Sequence, residues 1–359
     1  PGSSAAVTSM NLSYMLANNT ALESVEPITG SSADVNAAHW NVVKVTDFSY
    51  LFYQLADNAN EMKINTIDLS QWDMRSDGYR LGNVDFTNML QLSTAGSDLT
   101  SFVSLILGPQ SALWVNDTNN ANLQGTALMG VTQGVWIKNT NAMGKETSVG
   151  NSQDLMKRYA YNMAAPTEVT TYTWDPTHRG GVFADNTNIW WTYAITDTTS
   201  VADKDTAEKA GTLRIGLISN ALSHATNTAG ADLPWRQSPN NVWGDVTSFQ
   251  TDGANGNVAP RTMAQWFANG PTTFTTFDGT YLDTSAATSF EQLFYNNSGL
   301  TDITGTGAWD TSKVTTFAGA FQDLTNVREF FLDNWTMRGN VGGTGNAVVT
   351  NMFSHTASI

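Results

Sequence analysis

Apolar residues recur along the chain in a short cluster whose first, fourth and fifth positions are hydrophobic and whose intervening positions are mostly polar. This spacing places three side chains on one face of a helical turn, so it predicts a short helical turn in each copy. The copies are Phe48/Leu51/Phe52, Phe86/Met89/Leu90, Met263/Trp266/Phe267, Phe290/Leu293/Phe294 and Phe317/Ala320/Phe321.

Most copies continue with a second apolar stretch and then a tryptophan. The second stretch has the pattern of a short strand at residues 64–69, 102–107 and 327–332. The first residues of three successive clusters, Met263, Phe290 and Phe317, are 27 residues apart. One copy is too short to cover its own apolar face, so neighbouring copies are expected to stack.

This pattern predicts a repeat solenoid of the leucine-rich-repeat type, either α/β or mainly β. Each repeat of about 25–38 residues would hold a short strand and a short helix or irregular segment, and cap segments would close the stack. Four tryptophans share one repeat position, which favours a role in the stacked core or its edge over sugar stacking. They are Trp40, Trp72, Trp309 and Trp335.

Composition agrees with a scaffold rich in strands and turns. Only 14% of the 359 residues are charged, and the polar remainder is mainly Thr, Asn, Ser, Gly and Asp. A net charge of −15 without clustered basic residues argues against nucleic acid as a partner. Cys is absent, so disulfides, thiolate metal sites and a Cys nucleophile are excluded. No apolar stretch is long enough for membrane insertion.

Two phrases, "IDLSQWDM" at 67–74 and "WDTSKVTTFAGAF" at 309–321, resemble the repeats of BspA-like leucine-rich-repeat proteins on bacterial surfaces. The middle of the chain is similar to the segments that close and open a repeat module in that family. The closing segment is represented by "GVWIK", "SQDLMKRY" and "TYTW", and the opening segment by "WWTYAIT", "GTLRIG" and "LPW".

The resemblance implies four segments. Residues 1–107 would end a first module, 108–184 would be its closing cap, 185–261 the opening cap of a second module, and 262–359 that module's repeats. One uninterrupted solenoid with an irregular middle is the alternative. The sequence is also expected to be a fragment of a longer protein, with any signal peptide and anchor outside it.

The resemblance further implies a non-enzymatic adhesion module, extracellular and attached to a Gram-positive cell wall, where it interacts with a host. Its partners would be host or microbial surface glycans, glycoproteins or mucus, or neighbouring modules of the same longer chain. A structural spacer that presents a distal binding domain is one alternative. A carbohydrate-active enzyme on a β-solenoid is a second.

Candidate chemistry is sparse, and no catalytic residue or cofactor is predicted. The four histidines, at 39, 178, 224 and 355, lack the spacing of a zinc site and are expected in solvated loops. Asp252, Asn255 and Asn257 form a weak candidate for structural calcium in a glycine-rich loop. The candidate binding surface is an exposed strand face that holds Asn65, Asp68, Thr301, Asp302, Arg328 and Glu329.

Overall fold

The computed structural model describes residues 9–19, 22, 24–25, 42–53, 64–75, 84–91, 104–123, 133–139, 146–164, 166–199, 207–238, 241–337 and 346–356. These residues are mainly β, with several sheets and few helices. The chain divides into two compact units. Unit 1 comprises residues 1–132, 136–139 and 151–175, and unit 2 comprises 133–135, 140–150 and 176–359. The predicted division into four segments stays a prediction.

The strands are short. In chain order they are β1 Met10–Asn11, β2 Ser24–Val25, β3 Val45–Asp47, β4 Thr66–Asp68, β5 Ser104–Leu107, β6 Gln133–Asn139, β7 Glu146–Ser148, β8 Thr170–Val182, β9 Ile189–Ala194, β10 Thr198–Thr199, β11 Ala207–Glu208, β12 Thr212–Leu217, β13 Ala225–Thr226, β14 Ser248–Thr251, β15 Ala259–Pro260, β16 Thr276–Asp278 and β17 Asp302–Thr304. The α-helix α1 is Ser152–Arg158, and the 3-10 helices are Gly230–Asp232, Pro234–Arg236, Trp243–Asp245 and Thr306–Ala308.

In unit 1, β2, β4 and β5 pair in parallel, and β5 pairs antiparallel with the first residues of β8. The helix α1 begins at a capping box in which Asn151 and Asp154 satisfy each other's backbone N–H groups. The Trp136 indole donates to Ser152 Oγ at 2.9 Å and so fixes the start of the helix.

In unit 2, β9 lies between the end of β8 and β12, antiparallel to both. The strands β12, β14, β16 and β17 then pair in parallel. Their central residues Phe249, Phe277 and Ile303 are in register and buried, while most of the flanking residues are partly or fully exposed. Period-2 alternation gives β16 and β17 one buried residue each and β14 two, whereas β12 is buried along its whole length.

The apolar clusters of the repeats form turns and not helices. Of the two predictions for this part of each repeat, the short helix is therefore wrong and the irregular segment is correct. Two residues after each first position the backbone is left-handed, with φ of 57° at Gln265 and 52° at Gln292. Such a residue interrupts a helix. Alternate N–H groups consequently turn outward and donate to the next repeat, Phe290 to Thr316 O at 2.9 Å and Phe294 to Ala320 O at 2.8 Å.

The predicted strands agree in part. The cores of 64–69 and 102–107 form β4 and β5. Residues 327–332 form no strand, because side chains and not a backbone ladder attach this stretch to the preceding repeat. Thr306 Oγ1 donates to Phe331 O at 2.9 Å, and Asn326 Nδ2 donates to Ser298 O at 2.5 Å.

Two of the repeat tryptophans are buried in the core, and a third is half-buried beside them. Trp72 and Trp309 are buried, and the Trp309 indole donates to Gly279 O at 3.1 Å in the preceding repeat. Trp335 is half-buried and stacks on Trp309, with ring centroids 6.1 Å apart. The core interpretation is therefore confirmed for Trp72 and Trp309, while Trp40 lies outside the described residues.

Candidate functional site

A surface groove of about 400 Å³ runs beside β17 in unit 2. One wall is Thr301, Asp302 and Ile303. The strand positions Asp302 toward solvent and Ile303 into the core, because successive side chains of a strand point to opposite faces. Thr301 Oγ1 donates to Thr275 O at 3.1 Å, which fixes the start of the strand against the preceding repeat.

The opposite wall comes from the next repeat and consists of Asn326, Arg328, Glu329 and Phe331. Val327 is buried and anchors this wall, while Arg328 and Glu329 are exposed. The Phe331 ring is 49% exposed although the neighbouring Phe330 packs against the core. An exposed aromatic face in a groove is an apolar surface available to a ligand.

The groove thus combines two carboxylates, one guanidinium, an amide, a hydroxyl and an aromatic ring. This set offers several hydrogen-bond donors and acceptors beside one apolar face, which suits a ligand rich in hydroxyl groups. Its volume lies within the range of small-ligand sites.

Four of the six residues predicted for a binding face line this one groove: Thr301, Asp302, Arg328 and Glu329. The other two residues belong to unit 1 and do not line the groove: Asn65 precedes β4, and Asp68 is the last residue of β4. There Asp68 Oδ1 accepts the Ser70 N–H at 2.8 Å and stabilises a turn. Asn326 and Phe331 were missed, although the doubled aromatic Phe330–Phe331 in an alternating stretch indicates that one ring is exposed.

The candidate calcium loop is held by a hydrogen bond within the loop and by another to β12. Asp252 Oδ1 accepts the Ala254 N–H at 2.8 Å, and Asn255 Nδ2 donates to Leu217 O at 2.9 Å. Asn257 is exposed at the end of the loop. Calcium at this loop stays a prediction. Among the residues that the structure describes, no group of three His, Cys, Asp or Glu side chains could hold a metal ion.

One histidine prediction is wrong, because His178 is fully buried on β8 and does not lie in a solvated loop. Its Nε2 is 3.8 Å from Glu208 Oε2, and Arg214 Nε is 3.5 Å from the same oxygen. The Arg214 guanidinium also donates to Gln250 Oε1 at 2.6 Å. The strand β9 pairs with β8, which holds His178, and with β12, which holds Arg214, while Glu208 lies on β11. No local spacing in the sequence indicates that these three residues come together.

The sequence profile of a family described as "Mycoplasma protein of unknown function, DUF285" matches residues 5–91 and 243–358, together more than half of the chain. The chain belongs to this family. No curated protein and no solved structure matches it. The second matched segment contains every residue of the groove, so the groove is built on DUF285 repeats.

In the part of this DUF285 chain that the structure describes, none of the helices has the length and apolar character needed to cross a bilayer.

Proposed function

We propose that this DUF285 chain is a non-enzymatic adhesion module, displayed outside the cell on a bacterial surface, that binds surface glycans or glycoproteins. In this proposal the repeats form a leucine-rich-repeat-like solenoid, and its exposed face carries the binding site. The groove between β17 and residues 326–331 is the observation that carries the proposal, since it unites polar side chains with an exposed phenyl ring.

The chemistry of the groove supports a neutral sugar more than an anionic one. Asp302 and Glu329 outnumber Arg328, and the whole chain has a net charge of −15. Sialylated or sulfated glycans would therefore be repelled at neutral pH. Carboxylates accept hydrogen bonds from sugar hydroxyls, and the apolar face of a pyranose ring can pack on Phe331.

The test is binding of the whole 359-residue chain to mucin-coated surfaces and to a glycan array. Wild type should attach saturably, and Phe331→Ala combined with Glu329→Gln should weaken attachment at least about tenfold, the equivalent of 1.4 kcal/mol. Tyr281→Ala is the matched control, because Tyr281 is a 44% exposed aromatic residue that does not line the groove.

The same experiment separates the alternatives. A spacer that only presents a distal domain would show no saturable attachment, and equal binding by the groove variant and the Tyr281→Ala control would show that the groove is not the site.

The alternative of a carbohydrate-active enzyme requires a separate assay, because Asp302 and Glu329 line the same groove and glycosidases use a pair of carboxylates. We expect no product from a polysaccharide panel. Product release that disappears in Asp302→Asn would replace adhesion by hydrolysis or lysis as the function of the groove.

A further inference from the structure

The strand β17 pairs with β16 through alternate residues. The outer bonds of this pairing are Asp302 N–H to Thr275 O at 3.2 Å and Gly279 N–H to Thr304 O at 3.1 Å. Asp302 and Thr304 therefore direct their backbone polar groups toward β16. Successive residues of a strand in a parallel sheet bond to opposite sides, so the intervening Ile303 directs its N–H and C=O away from β16, toward the groove.

Ile303 lines the groove with its backbone. It is only 2% exposed and its side chain belongs to the hydrophobic core, yet it is one of the residues that line the groove. No backbone hydrogen bond joins Ile303 to the opposite wall, although residues 241–337 are described without a gap. One backbone donor and one backbone acceptor therefore lie side by side at the floor of the groove.

This pair distinguishes β17 from the strands before it. On the same side, β14 is paired with β16 and β16 is paired with β17, so their backbone groups have strand partners. Backbone N–H and C=O groups that are withdrawn from water almost always have a hydrogen-bond partner. A ligand in the groove can supply that partner at β17, where the next repeat does not.

The width of the groove determines what can reach the pair. The opposite wall is tied at both ends to the repeat that contains β17, by Asn326 Nδ2 to Ser298 O and by Thr306 Oγ1 to Phe331 O. A peptide strand inserted between the walls would need about 4.8 Å to the backbone on each side. One short side chain with one hydrogen bond does not span that total distance, so the edge of a sugar ring fits better than a peptide strand.

Two hydroxyl groups on adjacent carbons of a pyranose match the Ile303 pair. A hydroxyl group can both donate and accept a hydrogen bond, so one hydroxyl can accept the N–H while its neighbour donates to the C=O. The ring can pack on Phe331 at the same time, and Asp302 and Glu329 can accept bonds from the outer hydroxyls. The backbone pair carries no net charge, which agrees with a neutral ligand.

We propose, on the basis of the glycan-binding function above, that the backbone of Ile303 selects pyranoses with two free hydroxyl groups on adjacent carbons. Specificity then depends on main-chain groups, and the side chain at position 303 serves the core. A sugar that lacks one of the two hydroxyls loses one of the two backbone bonds.

The test is hydrogen exchange of the backbone amides in the whole 359-residue chain, followed by NMR with methyl β-glucopyranoside as the probe. The Asp302 and Thr304 amides are bonded to β16 and should exchange slowly with or without the sugar. The Ile303 amide should exchange faster than both and slow at least about tenfold at saturating sugar. The 3-deoxy analogue has no two hydroxyls on adjacent carbons and should not slow it at the same concentration.

Two variants separate the main chain from the side chain. Ile303→Val retains the backbone pair and should bind the probe like wild type. Ile303→Pro removes the N–H that is not bonded to β16, at the kind of edge position where strands tolerate proline, and should weaken binding at least about tenfold. Circular dichroism checks that both remain folded, and the exchange measurement on wild type does not depend on either variant.

The outcomes distinguish this proposal from the function on which it rests. If glycans bind but the probe leaves the Ile303 amide unprotected, or if a blocked tripeptide protects it and the sugar does not, the proposal is overturned while attachment to glycans stands. If the 3-deoxy analogue protects the amide equally, selection by adjacent hydroxyls is wrong. Absence of saturable attachment to mucin and to every glycan on the array would overturn the adhesion function itself.

Discussion

The repeats at residues 262–337 and the strands between residues 178 and 217 differ in the buried polar groups that they contain and in how these groups are paired. The repeats, which the structure describes completely, bury no charged side chain, and their buried polar residues bond to backbone. Asn297, for example, donates to Phe267 O and Phe294 O and accepts the Gly270 N–H. The strands instead bury His178, Glu208 and Arg214 together.

The difference shows which interactions can be repeated. A bond from a side chain to the backbone of the adjacent repeat can recur every 27 residues, as Thr288 and Thr315 do when each donates to the repeat before it. A buried trio of ionisable groups requires three particular strands and occurs once in the described residues. The repeats should therefore tolerate changes in repeat number, whereas the strand segment should depend on single residues.

The largest expected effect is in the repeat core. Phe294→Ala removes a buried ring that stacks on Phe267 and Phe321 at centroid distances of 5.5 and 5.7 Å. The free energy of unfolding should fall by about 3–5 kcal/mol, because the cavity interrupts a stack shared by three repeats. Urea unfolding measures it, and the exposed Phe331→Ala serves as control. A loss below about 1 kcal/mol would show that the stack does not hold the repeats together.

The second-largest expected effect is the loss of stability on removing the buried carboxylate of the strand segment. Glu208→Ala leaves Arg214 and His178 buried without their carboxylate, which should cost about 3 kcal/mol. The double variant Glu208→Leu with Arg214→Met should recover part of this loss, since an apolar pair needs no partner. Equal losses in the single and double variants would contradict a charge-pairing role.

A smaller effect is expected from the threonines that join repeats. Thr315→Val removes the hydroxyl that donates to Thr288 O at 3.1 Å and should cost about 0.5–1 kcal/mol in urea unfolding. Lys313→Ala, at an exposed neighbouring position, should cost less. If both changes are neutral, the threonine bonds do not contribute to stacking.

The smallest expected effect is a change in how stability depends on pH under acidic conditions. Ser312 donates from its backbone N–H and side chain to Asp310, which lowers the pKa of that carboxyl. A lowered pKa adds stability that is present above the unfolded pKa of about 4 and is lost as the pH falls through the folded value. Asp310→Asn should flatten the stability profile only below about pH 4, by less than about 1 kcal/mol because the group is exposed. An unchanged acid limb would contradict the linkage.

The repeat spacing was predictable, because Met263, Phe290 and Phe317 mark one backbone position, and the structure places their turns in register. The conformation of those turns was not predictable from the apolar spacing. A helical turn and a turn with a left-handed residue bury the same first, fourth and fifth side chains. Glutamine is not a residue type that indicates a positive φ, so the conformation of Gln292 could not be predicted.

The candidate site was also predictable only in part. Alternation along β17 indicated that Asp302 is exposed, and Thr301 precedes that strand, but the opposite wall consists of residues outside any strand. Asn326 is placed by its bond to Ser298 O, and Phe331 by the bond that its carbonyl accepts from the Thr306 hydroxyl. Such contacts join positions 25 to 28 residues apart, and they follow from the register of the repeats only after it is known.

Removal of one repeat tests most directly that 27 residues are the structural unit of the repeats between Met263 and Phe317. Deleting residues 290–316 joins Ser289 to Phe317, so Phe317 should take the place of Phe290 and the ladder should close again. Urea unfolding should remain cooperative, while glycan binding should disappear because Thr301 and Asp302 are deleted. Deleting only 290–302 should disrupt the stack. Equal disruption by both deletions would contradict the account.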